Sequence, residues 1–210
     1  MNFSFLPKYY KFFISGTGYT LAISALTVIF GLLGGLALSL MKTSNHKVLK
    51  AIAISYIEFI RGTPLLIQLY IVYYGISNIP MFTAGVIAMS VNSSAYIAEI
   101  IRAGINAVDK GQMEAARSLG LSSFLSYKEI IIPQAMKNIL PALGNEFIVL
   151  IKESAIVSVI GIHDLMYNTD TVRGITFIAF EPLIVAAFIY FILRSEERRV
   201  GKECISRWSP

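Results

Sequence analysis

Five apolar blocks, at roughly 15–41, 52–77, 80–103, 139–162 and 175–193, constrain this chain more than any other feature. A helix needs about 20 mostly apolar residues to cross the hydrocarbon core of a bilayer. Lipid offers the backbone no hydrogen bonds, so a spanning segment must satisfy its own, and single helices do so. Only 15% of the residues are charged, against about 25% in an average soluble domain. The first block is too long for the apolar region of a signal peptide and lacks a clean cleavage site, so it reads as a retained span. The expected fold is all-α and integral to the membrane, with about five transmembrane helices in one domain over 1–194.

The net charge is +5, and its placement is more informative than its size. Lys42, Lys47 and Lys50 follow the first block, and Arg102, Lys110, Arg117, Lys128 and Lys137 follow the third. The segment from Ser77 to Met81 has no basic residue, and the one after the fourth block has only Arg173. Basic loops stay in the cytoplasm. The expectation is therefore an outside N-terminus, five crossings and a cytoplasmic C-terminus, with Lys8 and Lys11 in mild dissent. A basic balance explained in this way requires no nucleic-acid partner.

After Arg194 the composition changes abruptly. "SEERRVGKECISRWSP" holds the chain's single cysteine, Cys204, and single tryptophan, Trp208. The segment 195–210 reads as non-native, vector-derived read-through, the alternative being a native polar tail. Cys204 then supports no disulfide, metal or redox chemistry.

Within the spans, the polar residues stand out. Gly31 and Gly35 are four apart on one face of the first, where small residues let helices approach closely; ordinary apolar-helix glycine is the other reading. In "YIEFIRGTPLLIQLYIVYYG", Pro64 cannot continue a helical ladder. A break is expected at Gly62, Thr63 and Pro64, with Thr63 as the cap of the second half and Pro64 at its first position. Glu58 and Arg61 are three apart, as a structural ion pair or a functional one. Glu99 and Arg102 repeat the spacing. Gln68, Asn92, Ser93 and Ser94 fall near the middle of their spans, as do Lys152, Glu153 and Ser154. Glu146 shares a face with Glu153, seven residues on. Charges in hydrocarbon cost a few kcal/mol each on insertion scales, so these groups need partners or a wet cavity. Gln68, Asn92, Ser93, Ser94, Glu146, Lys152 and Glu153 therefore form a candidate substrate site. Lys152 suits a carboxylate and a glutamate suits an ammonium, as a zwitterion requires. The competing reading is a polar network joining helices. Glu181–Pro182 suggests a kink in the fifth span. His163 reads as a surface residue.

The stretch "GQMEAARSLGLSSFLSYKEIIIP", Gly111–Pro133, is too long for a connector. Glu114, Ala115 and Ala116 favour helix and Gly120 ends it. Leu119, Leu121, Phe124 and Leu125 beside Arg117 and Ser118 make a short amphipathic element, suited to a membrane surface or a partner's groove.

Glu114-Ala-Ala, Gly120 six residues on, and Ile130-x-Ile132-Pro133 resemble the EAA loop of binding-protein-dependent ABC permeases. "RGTPLLIQLY", "NSSAYIAEIIRAGI", "KGQMEAARSLG" and "LPALGNEFIVLIKES" resemble, in the same order, the polar amino acid (glutamine, histidine, arginine type) branch. The resemblance covers about 15–193. It implies a permease of the bacterial cytoplasmic membrane with no catalytic site of its own. A second permease subunit, identical or a sister, completes the pathway. Separate ABC ATPase subunits bind ATP and magnesium, and an extracytoplasmic solute-binding protein delivers the amino acid. Glu114, Ala115, Ala116, Gly120 and Leu121 are then the ATPase-coupling residues. Two departures stand out: Ile132 where Leu is more usual, and Lys152-Glu153-Ser154-Ala155 where relatives often carry Lys-Asp-Thr-Ser.

The rival is an ion-coupled secondary carrier using the intramembrane glutamates, but it gives the loop no role and many such carriers show inverted repeats. A passive scaffold leaves the intramembrane charges idle. The chain shows no metal-spaced His/Asp set, no nucleophile–base pair and no phosphate-cradling glycine loop, which argues against an enzyme.

Overall fold

Helix α1 (Leu6–Thr43) and helix α4 (Met81–Asn106) form the central pair of this computed structural model. The structure describes residues 3–208, with side chains through Arg194. Lipid tails are as apolar as leucine, so helices in a membrane associate through close packing more than through hydrophobic drive. The α1–α4 contact shows how. Ideal Cβ atoms on Gly31 and Gly35 would sit 3.0 Å from Ser93 Oγ and 2.6 Å from Ile97 Cγ2. The two helices run in parallel here, with Gly31 facing Ser93 and Gly35 facing Ile97. The close-approach reading of this glycine pair holds. α1 begins nine residues before the apolar block does, and its early turns join Phe5 and Phe13 to Leu165, Val172 and Ala186.

The second block is two helices. α2 (Lys47–Gly62) and α3 (Leu65–Gly75) meet at a 107° bend. The break falls where Pro64 demands it, but the capping differs from expectation. Pro64 itself occupies the N-cap of α3 with φ −63° and ψ 136°, and Thr63 is the extended residue closing α2. Proline disfavours helical geometry in the residue before it, which puts Thr63 outside both helices.

The third block is α4, the most deeply buried span. After it come α5 (Lys110–Ser118), α6 (Ser123–Ser126), a π-helical turn (Tyr127–Ile131) and α7 (Ile132–Glu153). The fourth block is not one helix. α7 starts well before it and ends at Glu153, where a 3₁₀ segment, Ser154–Ile160, takes over. Ser154 and Ser158 donate to carbonyls three residues back, Ile151 O at 2.8 Å and Ala155 O at 2.7 Å.

The fifth block is also corrected. α8 (Leu165–Thr176) stops at Phe177, whose φ of 56° is left-handed, and α9 (Glu181–Trp208) starts four residues later. Glu181–Pro182 is the first turn of α9, where a missing N–H does no harm, and not a kink within a span. Side chains of the tail 195–210 lie outside the described residues. By length and composition α1 and α4 cross a membrane, and the bent α2–α3 pair counts as a third span. α7, at 22 residues, has the length but carries interior charges.

Candidate functional site

Proline at the α2–α3 break frees carbonyls in a setting where unpaired ones are expensive. Gln68 answers this. Its Nε2 donates to Ile60 O at 2.8 Å, Thr63 Oγ1 at 2.8 Å and Thr63 O at 3.1 Å. Its Oε1 accepts from Asn92 Nδ2 at 2.9 Å. Both amides are buried. Gln68 therefore staples the broken span to α4, with both its N–H groups engaged in this conformation.

The rest of the α4 cluster divides among its neighbours. Ser94 Oγ donates to Val91 O at 2.7 Å and lies 3.0 Å from Tyr56 Oη on α2, which also donates to Val91 O at 2.9 Å. Ser93 packs against Gly31, and its hydroxyl has no hydrogen-bond partner. It lies beside the Glu146 carboxyl on α7 without a closed bond. Thr27 and Ser90 hydroxyls are similarly buried and unpartnered.

Of the charges expected beside them, only Glu146 is there, next to Ser93. Lys152 and Glu153 are exposed at the end of α7, with Glu146 half-buried on the same helix. None of the three bonds to the Gln68–Asn92 pair. The seven expected site residues thus fall into two groups, buried amides and hydroxyls around α4 and the exposed Lys152 and Glu153 at the end of α7, with half-buried Glu146 beside both Ser93 and Glu153. Midspan position in sequence located both groups but could not assign their faces.

At the C-terminal ends of α1 and α4 the expected pairs fare differently. Arg102 donates twice to Glu99 Oε2, at 2.8 and 2.9 Å, and Lys42 bonds Glu99 Oε1. Sequence reading missed Lys42, 57 residues away. Glu58 and Arg61 do not pair; the Arg61 guanidinium sits 5.3 Å from the Tyr96 ring centre.

The loop between α4 and α7 is built from strong local signals. Asp109 caps α5, accepting from Gly111 N at 2.7 Å. α5 closes at Gly120, φ 86°, with Leu121 N bonded to Ala116 O and Gly120 N to Arg117 O. This paired closure uses the left-handed conformation that glycine adopts without strain. Ser122 caps α6, and Gln134 Nε2 donates to Gln112 Oε1, tying α5 to α7. Ala116 is buried, whereas Ala115 and Glu114 are exposed, so only one of the two alanines packs inward. Leu119 and Phe124 are 82% and 78% exposed, leaving apolar surface on the loop. His163 is exposed and stacks on Tyr167 at 4.6 Å.

Comparison with known proteins agrees with this architecture. A putative glutamine transport system permease protein, GlnP, of Rickettsia conorii is 48% identical over 199 residues, covering 91% of each chain. The arginine transport system permease protein ArtQ of Bacillus subtilis is 46% identical over 198 residues, covering 92% of this chain and 90% of that one. A crystal structure of an amino acid ABC transporter with histidines superposes with a TM-score of 0.92 at 53% identity, over 99% of this chain and all of that one. The MetNI methionine ABC transporter shares the fold, with a TM-score of 0.77 at 17% identity over the full length of both. Residues 27–194 match the family of binding-protein-dependent transport system inner membrane components, and the chain belongs to that family.

Proposed function

We propose that this chain is a permease subunit that carries a polar amino acid inward across the cytoplasmic membrane, driven by ATP hydrolysed on a separate subunit. The observation that carries the reading is a continuous helical rod. α6, the π turn and α7 run without interruption from Ser123 to Glu153. One end presents the exposed Phe124 beside Leu119, and the other presents Lys152 and Glu153. At 1.5 Å per residue the run is roughly 45 Å along its helical axis, with Pro141 inside α7 as a point of bending.

In this mechanism, Glu114, Ala115, Ala116, Gly120 and Leu121 frame the element that docks on the ATPase. The Gly120 closure fixes the angle between α5 and α6, so that displacement of the docked element is passed to α7 and not absorbed in the loop. ATP-driven closure of two ATPase subunits would then bias two permease subunits between inward- and outward-facing packings. ATP and magnesium belong to those ATPase subunits. The Lys152 ammonium would take the substrate carboxylate, and Glu146 or Glu153 its ammonium. The amides of Gln68 and Asn92 hold the wall of the pathway. The names of the glutamine and arginine relatives support a polar amino acid as cargo. An extracytoplasmic binding protein delivers it. The N-terminus lies outside, as the basic loops direct. The tail 195–210, beyond the family match that ends at Arg194, takes no part.

The test is ATPase activity of the reconstituted complex of this chain, its ATPase and its binding protein, with amino acids supplied singly. Stimulation by one or a few amino acids, only with the binding protein present, is the expected result. Activity indifferent to every amino acid would overturn the reading. Gly120→Pro should keep the ATPase bound but uncouple uptake from hydrolysis. Unchanged uptake in that variant would remove the coupling assignment.

A further inference from the structure

Two ways of winding the backbone meet at the residue that follows Lys152 and Glu153. In an α-helix each carbonyl accepts from the N–H four residues on, and in a 3₁₀ helix from the N–H three residues on. Where the first gives way to the second, the N–H groups are still used in order, so one carbonyl is passed over. Here Ser154 N donates to Leu150 O at the end of α7, and the 3₁₀ segment begins at Ser154. The carbonyl passed over is that of Ile151. The Ser154 hydroxyl donates to it at 2.8 Å, and both residues are buried. A buried carbonyl without a donor is costly, so this hydroxyl decides where the winding changes.

The segment beyond is held on one side and open on the other. Ser154, Val157 and Ile160 are buried, at the spacing of three that keeps one face of a 3₁₀ helix. Val157 and Ile160 join Ile23, Leu69 and Ala84 in the core. Gly161, with φ 89°, turns the chain at the far end. Lys152 and Glu153 are exposed just before the junction. Their bearing relative to the buried face is therefore set by the winding between. Each residue rewound from 3₁₀ to α turns the two ends by about 20° and draws them together by about 0.5 Å. Ser158 supplies a contrast within the same segment. Its hydroxyl donates to Ala155 O at 2.7 Å. That carbonyl lies inside the 3₁₀ run, where an N–H three residues on is already placed to serve it.

We propose that Ser154 is a positioning residue for amino acid binding: its hydroxyl pins the α-to-3₁₀ junction and so holds Lys152 and Glu153 at the bearing that receives the substrate. The inference rests on the substrate site proposed above. Ser154 is fully buried and acts only through its two charged neighbours. Without the hydroxyl, Ile151 O recovers a partner when Ala155 N closes an α bond to it. That moves the junction into the segment and leaves the charges divided between bearings. Apparent affinity then falls in proportion to the time spent in the competent one.

The experiment measures equilibrium binding of radiolabelled glutamine, arginine and histidine, supplied singly up to millimolar concentration, to the purified permease–ATPase complex. The binding protein is left out, so the Kd is that of the permease's own site. Ser154→Ala should raise Kd by about fivefold or more, with unstimulated ATPase activity unchanged. Ser154→Thr keeps the hydroxyl and should restore the wild-type Kd. Ser154→Cys, close in size but a weak donor, should fall between the two, and it is the variant to read if Ser154→Ala does not assemble. Ser158→Ala should leave Kd unchanged. A serine that only stabilises the fold would lower Tm and leave Kd where it was. Equal Kd in wild type, Ser154→Ala and Ser154→Cys, or an equal rise from Ser158→Ala, would overturn the proposal. A wild-type complex that binds none of the three amino acids would remove the substrate site itself, and this inference with it.

Discussion

The α3–α4 contact and the far end of α7 both carry polar groups within apolar sequence, yet they differ in what satisfies those groups. At α3–α4, Gln68 is bonded to Asn92 and to the carbonyls of the α2–α3 break. At the end of α7, Lys152 and Glu153 are exposed and neighbour one another, with no hydrogen bond from either side chain among the described residues. In a membrane the first arrangement is finished architecture and the second is an opening, to be filled by water, substrate or a neighbouring subunit. A polar residue in a span is thus a functional signal only after its hydrogen bonds have been counted.

The comparison breaks most visibly at Lys152. Lys152→Met should abolish uptake while the assembled complex keeps its Tm, because an exposed side chain contributes little to folding. Uptake surviving with unaltered apparent affinity would make Lys152 structural and erase the contrast. Gln68→Leu should do the reverse, lowering stability by about 2–4 kcal/mol, since it strands two buried backbone carbonyls and the Asn92 amide. A Gln68→Leu protein of normal stability but altered substrate affinity would move Gln68 into the pathway. Tyr56→Phe is the smallest case. It removes one hydroxyl bonded to Val91 O and Ser94 Oγ and should cost about 1 kcal/mol, with transport unchanged. Thermal unfolding and uptake in one preparation read all three.

Much of this was legible in the sequence where one residue carries a hard backbone rule. Pro64 marked the break and Gly120 marked the end of α5, because neither conformation depends on distant residues. The Glu99–Arg102 pair was legible from its spacing, whereas Lys42 was not, because it reaches Glu99 from another helix. The same spacing misled at Glu58 and Arg61, where the Tyr96 ring competes for the guanidinium. Hydropathy read 175–193 as one span, since Phe177, Ile178 and Phe180 are as apolar as any helix. It reports solvent preference, not chain direction, and the left-handed Phe177 turn leaves no trace in it. For the same reason it passed over the change from α to 3₁₀ winding at Ser154.

The π turn at Tyr127–Ile131 sets a phase relation. Each residue in an α-helix advances the side-chain direction by about 100°, and a π turn holds one residue more than an α turn would. Phe124 and Lys152 are the two ends of one shaft, and their relative orientation is an angle set by that extra residue. Removing one residue there would leave both ends intact but dial the charged end about a quarter turn away from its present bearing. In the proposed mechanism the loop would still dock on its ATPase while Lys152 and Glu153 faced away from the substrate.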